Sequence, residues 1–115
     1  MDKSAIEHFL HTQVLAWNAG DREAFFAAYR AAAPKGLLIE YVGRPASDGW
    51  PVLEHMWDTQ CAKVEVEEAL LIVSGTEAAL HNHNKVRGTT LVIETIEQYI
   101  FDDGHLTVRY FIGQP

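Results

Sequence analysis

Three segments of the chain carry apolar residues at the spacing of an amphipathic helix. The first covers residues 6–17. The second begins after Asp21, a residue suited to an N-cap, and ends before Pro34, which breaks the pattern. The third is predicted to start at Pro51, because proline fits the first helical position, and to end near residue 60. The pattern therefore predicts three helices in the first half of the chain.

Other segments follow the period of two that is typical of β-strands. One strand is predicted over residues 37–42, before a loop of turn-forming residues at 43–49. Four longer strands are predicted after the third helix, over residues 63–73, 77–86, 89–101 and 105–112. The short glycine-bearing links between these four predict antiparallel hairpins. Helices followed by a meander predict an α+β fold with the helices on one face of a sheet.

Composition and charge limit the partners that we expect. A chain of 115 residues has the size of one domain, so we expect a single domain over residues 1–115. The formal charge is -7, and the nine basic residues are scattered, which disfavours nucleic acid and anionic membranes as partners. The single cysteine, Cys61, cannot form an intrachain disulfide, and no apolar run approaches the length of a membrane span. We therefore expect a cytoplasmic protein.

Polar residues interrupt several rows that period-two counting predicts to face the core. On the strand predicted over 89–101, Glu97 lies in an otherwise apolar row. On the first strand, Glu40 shares a face with Leu38 and Val42. Further inward polar residues are predicted on the first helix and on two other strands: Gln13, Asn82, Asn84 and Tyr110. Inward asparagines suit a cavity with a partly polar lining.

Two glutamates facing one cavity would provide acid/base chemistry. A buried carboxylate must be paired, hydrogen-bonded or protonated. If Glu40 and Glu97 share a cavity, one can act as a base while the other stays protonated and donates a hydrogen bond, which suits proton abstraction beside a carbonyl. The alternative is structural: a misassigned strand register, or a salt bridge to Arg87 or Arg109. Tyr110 and Trp57 are more typical of core residues with one satisfied polar atom than of catalytic groups.

His81 and His83 lie two residues apart on the strand predicted over 77–86, which places both imidazoles on one face, as metal ligands require. The spacing offers no third ligand, so we interpret them as exposed or interface residues and expect no metal site. If the inner and outer faces of the predicted sheet were exchanged, Asn82 and Asn84 would face water. Cys61 has no histidine or base nearby in the sequence and is interpreted as structural.

The order of elements and the Ala-Trp-Asn-Ala-Gly-Asp segment at 16–21 resemble the nuclear transport factor 2-like superfamily, and especially its SnoaL-like and steroid delta-isomerase-like branches. Three further pieces carry the likeness: Ile-Glu-Tyr-Val-Gly at 39–43, Gly49 before the third helix, and Ile-Glu at 96–97 before an Asp-Asp-Gly turn. Together they extend over nearly the whole chain. The resemblance implies a cone-shaped barrel in which three N-terminal helices pack on a curved mixed, mostly antiparallel sheet that encloses a pocket.

The resemblance also implies roles for individual residues. Glu40 matches the aspartate that removes the substrate proton in steroid isomerases, and Glu97 matches a protonated aspartate in the oxyanion hole. Trp57 matches a tyrosine that supports this hole, whereas Gln13 replaces the family's oxyanion tyrosine and is a weaker donor. Four residues match positions that line the pocket: Asn82, Asn84, Val108 and Tyr110.

Because of the Gln13 substitution, the SnoaL-like branch, which includes cyclases, dehydratases and epoxide hydrolases, is the better match. We therefore expect an enzyme of isomerase or lyase type that acts on a small hydrophobic carbonyl compound without metal or organic cofactor, with Glu40 as general base. The alternative is a non-catalytic domain for hydrophobic-ligand binding or association. Val92, Ile96 and Ile100 lie on the opposite face from Glu97, and their apolar character predicts a homodimer through the outer sheet face.

Overall fold

The computed structural model describes residues 1–114, with three helices and six strands. The helices are α1 (Lys3–Ala19), α2 (Arg22–Ala32) and α3 (Gly49–Gln60). The strands are β1 (Gly36–Tyr41), β2 (Ser47–Asp48), β3 (Val64–Ser74), β4 (Glu77–Val86), β5 (Val92–Asp102) and β6 (His105–Ile112). Every predicted helix and strand is present, and β2 is an addition within the segment predicted as a loop. No helix in the described part of the chain has both the length and the apolar character needed to cross a membrane.

The link between α1 and α2 stops one helix and starts the next. Gly20 ends α1 in the left-handed conformation, at φ 69°, and its backbone N–H donates to carbonyls of the last turn. The carboxylate of Asp21 then accepts from the N–H of Ala24 and caps α2. Asn18 connects this corner to the sheet, because its side-chain amide exchanges two hydrogen bonds of 2.8 Å with the backbone of Val66.

The six strands form one sheet in the order β2-β1-β6-β5-β4-β3. β1 runs parallel to β6, and all other neighbouring pairs are antiparallel. A register shift between Glu68 and Leu70 marks an irregularity in β3, of the kind that bends a strand. The three helices pack on the inner face of this curved sheet, which does not close on itself. The predicted α+β class and the mixed, mostly antiparallel sheet are confirmed.

The predicted facing of β1 is wrong. Leu37 and Ile39 are buried, whereas Leu38 is 48% exposed and Glu40 lies on the same outer side as Leu38. Three consecutive apolar residues start this strand, so alternation alone does not indicate which of them point inward. The parallel pairing with β6 decides the facing, because it sets Ile39 opposite the fully buried Val108.

β5 begins three residues later than predicted because a turn occupies its expected start. The N–H of Thr89 donates to the carbonyl of Val86, and the Thr89 hydroxyl binds both that carbonyl and the N–H of Leu91. A threonine hydroxyl that bonds to nearby backbone groups competes with strand pairing. The outward facing of Val92 and Ile96 is as expected, at 41% and 45% exposure. The homodimer inferred from this face stays a prediction.

Aromatic side chains fill the space between the helices. Phe25, which is 2% exposed, lies at the centre of this cluster. Its ring centroid is 5.1 to 5.6 Å from those of Trp17, Phe26, Tyr29 and Trp57. Such edge-on and tilted pairs add to the stabilisation that burial alone provides. The cluster holds the helices over the sheet and forms part of the lining of the site described next.

Candidate functional site

A cavity of about 330 Å³ lies between the helices and the inner face of the sheet. Its size lies at the lower end of the range of small-molecule sites. All three helices and every strand except β2 contribute to its lining. Most of the lining is apolar: Val14, Trp17, Phe25, Met56, Val64, Val66, Ile93 and Ile112. Ten further lining residues carry a polar group, but four of them are tyrosines whose rings add apolar surface, so the polar part of the surface is the smaller one: Gln13, Tyr29, Tyr41, Gln60, Asn82, Asn84, Thr95, Glu97, Tyr99 and Tyr110.

Glu97 is the one carboxyl group among the described residues that line this cavity. It is 7% exposed and accepts three hydrogen bonds. The Tyr99 hydroxyl donates to Oε1 at 2.6 Å, and the Thr95 hydroxyl donates to Oε2 at 2.8 Å. The Asn82 amide also donates to Oε2, at 3.1 Å. Strand geometry explains the cluster, because Thr95, Glu97 and Tyr99 alternate on the inner face of β5 and Asn82 lies opposite Thr95 on β4.

Burial raises the pKa of Glu97, because removal from water disfavours the carboxylate more than the neutral acid. The hydrogen bonds from Tyr99, Thr95 and Asn82 lower this pKa, but by less than burial raises it. The charge of Glu68 raises it slightly further. The folded protein therefore holds a proton on Glu97 to a higher pH than an exposed glutamate would.

Asn82 gives the Glu97 cluster a way to accommodate either protonation state. Its Oδ1 is buried and has no hydrogen-bond partner among residues 1–114. A half-turn of the amide exchanges its donor and acceptor ends. In one orientation the amide donates to a Glu97 carboxylate, as in the structure, and in the other Oδ1 can accept from a protonated Glu97.

Tyrosine hydroxyls form the rest of the polar lining. Burial raises the pKa of Tyr29, Tyr99 and Tyr110, and the nearby charge of Glu97 raises each further, so all three stay protonated and able to donate at neutral pH. Tyr29 donates to the side-chain carbonyl of Gln13 at 3.4 Å, which connects α2 to α1 inside the cavity. The cavity thus offers hydroxyl donors beside one carboxyl group.

The structure separates the residues that the sequence singled out. Five of them line the cavity: Gln13, Asn82, Asn84, Glu97 and Tyr110. Trp57 packs in the aromatic cluster against Trp17 and Phe25, and Val108 is fully buried in the core. Glu40 faces away from the cavity and pairs with Arg109 at 3.3 Å, so the structure matches the alternative of a salt bridge for this residue. The predicted pair of glutamates in one cavity is therefore wrong.

Sequence reasoning missed five polar residues of the lining: Tyr29, Tyr41, Gln60, Thr95 and Tyr99. Thr95 and Tyr99 lie in the inward row of Glu97, so period-two counting could have identified them as its partners. Tyr29 follows the apolar spacing of α2, so the sequence alone does not distinguish it from a core residue. The predicted facing of β1, which is wrong, places Tyr41 on the outer side of the sheet. Tyr41 stacks on Tyr110, with ring centroids 5.4 Å apart.

No protein-family model and no curated protein sequence matches the chain. Solved structures do match. An NTF-2 like protein of unknown function from Burkholderia xenovorans aligns over 98% of this chain and 86% of its own, with a TM-score of 0.77 at 14% identity. A protein of unknown function with a cystatin-like fold from Methylobium petroleophilum aligns over 100% and 80%, with a TM-score of 0.76 at 20% identity. A protein assigned as a SnoaL-like polyketide cyclase from a Jannaschia species aligns over 97% and 90%, with a TM-score of 0.67 at 16% identity.

These identities are low, so the likenesses establish the fold and leave the activity open. Because the alignments extend over nearly the whole chain, they agree with the α+β architecture described above. The resemblance found in the sequence is thus confirmed at the level of the fold: this chain has the cone-shaped α+β fold of the nuclear transport factor 2-like proteins, which SnoaL-like proteins share.

Proposed function

We propose that this chain is a SnoaL-like acid/base enzyme that binds a small hydrophobic carbonyl compound in the cavity and uses Glu97 as its proton-transfer group. The observation that carries the proposal is a single carboxyl group, with a raised pKa, buried in a mainly apolar cavity. Perturbed ionisable groups in clefts are typical of catalytic sites. A raised pKa also brings a carboxyl group closer to the pH at which a general base works best.

The proposed reaction has two proton steps. In the carboxylate form, Glu97 removes a proton from the carbon next to the carbonyl, and the electron pair of that C–H bond moves onto the carbonyl oxygen. Hydroxyl donors of the lining, such as Tyr110, stabilise the enolate oxygen that forms. The protonated Glu97, once its proton has exchanged with solvent, protonates the same carbon, which gives hydrogen exchange. Where a C=C bond is conjugated with the enolate, protonation at the far end of that bond gives isomerisation.

The comparisons support the class of substrate. Two proteins assigned as polyketide cyclases share the fold: the SnoaL-like protein from the Jannaschia species, and one from Sinorhizobium meliloti at a TM-score of 0.68 and 13% identity. The apolar lining supports a hydrophobic ligand, because Phe25, Met56 and Ile93 would lie against carbon rather than against charged groups.

A second candidate function is the binding of a hydrophobic ligand without catalysis. The outward position of Glu40, paired with Arg109, favours it, because the cavity then holds one carboxyl group instead of the acid and base expected from the sequence. The two candidates differ in one measurable property. An enzyme moves protons on the bound compound, whereas a binding protein leaves its C–H bonds unchanged.

Hydrogen exchange in D₂O tests the proposal without knowledge of the product. A panel of small hydrophobic ketones is incubated with the protein, and the loss of α-proton signals is followed by NMR. Binding is followed by tryptophan fluorescence, because Trp17 lines the cavity. We expect ketones that change the fluorescence to exchange α-protons faster than they do in buffer, and the Glu40→Gln variant to behave like the wild type. Binding without accelerated exchange would contradict the proposal of an enzyme and would favour a binding protein without catalysis.

A further inference from the structure

The outer face of the sheet carries a cluster of histidines and glutamates that the proposed function does not use. His81 and His83 lie two residues apart on β4, and their rings meet edge to face with centroids 5.0 Å apart. On β5, Glu94 lies directly opposite His83, and on β3, Glu67 lies opposite His83 from the other side. We call these four residues the outer-face histidine cluster.

Three atoms of the cluster converge on one point. His81 Nε2 lies 3.0 Å from Glu94 Oε1, and His83 Nε2 lies 3.5 Å from the same oxygen. One ligand atom from each of the three residues lies within 4.8 Å of the other two. Ligand atoms around a tetrahedral zinc ion are about 3.3 to 3.6 Å apart, given bonds of ~2.0 to 2.2 Å. Glu94 already lies near this distance from both histidines, so the adjustment that remains is between the two imidazole nitrogens.

A second layer of contacts orients His83 for this role. Its Nδ1 lies 3.0 Å from Glu67 Oε1, and the other oxygen of Glu67 accepts from the Lys85 ammonium at 2.8 Å. A carboxylate oxygen can only accept, so the contact between Glu67 and His83 requires a donor on the imidazole. His83 therefore carries a proton on Nδ1 and turns Nε2 toward Glu94. Metal-binding histidines commonly donate their other ring N–H to a carboxylate in this way.

In this orientation, two electron-rich atoms of the outer-face histidine cluster face each other. A lone pair on His83 Nε2 would point at a carboxylate oxygen of Glu94, which is repulsive unless a proton or a metal ion lies between them. We infer that His81 Nε2, His83 Nε2 and Glu94 Oε1 form a binding site for a divalent transition-metal ion of the zinc type. Imidazole nitrogens with a carboxylate suit such ions better than Mg²⁺ or Ca²⁺. Three protein ligands leave the fourth position of the ion to water.

Titration of the full chain with Zn²⁺ tests this site. Binding is monitored by calorimetry and by NMR of the histidine rings. We expect one Zn²⁺ per chain, joint shifts of the His81 and His83 ring signals, and no such response to Mg²⁺. The Glu67→Gln variant should bind Zn²⁺ about 10 to 100 times more weakly, and His83→Ala at least as weakly.

His11→Ala is the matched control. His11 also contacts a glutamate, Glu68, at 2.9 Å, but among the described residues it belongs to no group of three potential metal ligands. We expect this variant to bind Zn²⁺ like the wild type. The absence of saturable Zn²⁺ binding would overturn the inference, as would equal affinity in His83→Ala or a loss of binding in His11→Ala.

Discussion

Replacing Glu97 by glutamine should lower the rate of α-proton exchange by about 10² to 10⁴, the usual contribution of a general acid or base. The amide has nearly the same shape as the carboxyl group, so the cavity should still bind the ketone, with a change in the dissociation constant of only a few-fold. It cannot accept a proton from carbon, however. The exchange rate at saturating ketone, measured by NMR in D₂O, gives the effect on the proton-transfer step alone.

Glu97→Asp and Glu40→Gln are the comparison variants for this experiment. The aspartate keeps a carboxyl group but is shorter by one methylene, so it should retain more exchange than the glutamine variant. Glu40→Gln removes a carboxylate that faces away from the cavity, where it pairs with Arg109, and should leave the rate unchanged. If Glu97→Gln exchanged at the wild-type rate while Glu40→Gln did not, the assignment of the proton-transfer group would be wrong.

Truncation of Phe25 should produce the largest loss of stability. Its ring is 2% exposed and contacts the rings of Trp17, Tyr29 and Trp57. Phe25→Ala should lower the free energy of unfolding by about 3 to 5 kcal/mol, because apolar burial is lost and a void opens next to the existing cavity. Small domains are stable by about 5 to 15 kcal/mol, so urea unfolding should show a large shift of the midpoint.

Leu15→Ala provides the control for this loss. Leu15 lies on α1 but is 70% exposed, so its truncation should change the free energy of unfolding by less than about 0.5 kcal/mol. A loss below about 1 kcal/mol for Phe25→Ala would show that the aromatic cluster does not hold the helices over the sheet.

The longer elements could be predicted because several local signals agree. At the α1–α2 link, Gly20, Asp21 and the apolar spacing all indicate the same boundary, and the structure confirms it. Glu97 could be placed inward because the residues of its row, such as Tyr99, alternate cleanly with outward ones. Where alternation is clear, the sequence determines the facing of a strand.

The errors arise where the sequence leaves a choice that only tertiary contacts settle. Residues 37–39 near the start of β1 are Leu-Leu-Ile, and no polar residue interrupts them to indicate the facing. The pairing of β1 with β6 decides that Leu38 and Glu40 point outward. The ligand group of the metal site that we infer could not be recognised for the same reason, because β4 offers only two histidines and the third group, Glu94, comes from β5. In both cases the deciding residue lies on a neighbouring strand, whose register cannot be read from the strand itself.

The most direct test of the central claim is the titration of the Glu97 carboxyl carbon by NMR, with its signal assigned from the spectrum of Glu97→Gln. We expect a midpoint above the value of ~4.3 for an exposed glutamate, because burial outweighs the three hydrogen bonds. In Tyr99→Phe the midpoint should rise further, since that variant removes a donor that favours the carboxylate. A midpoint at or below ~4.3 in the wild type would contradict a proton-transfer role for Glu97 in this cavity.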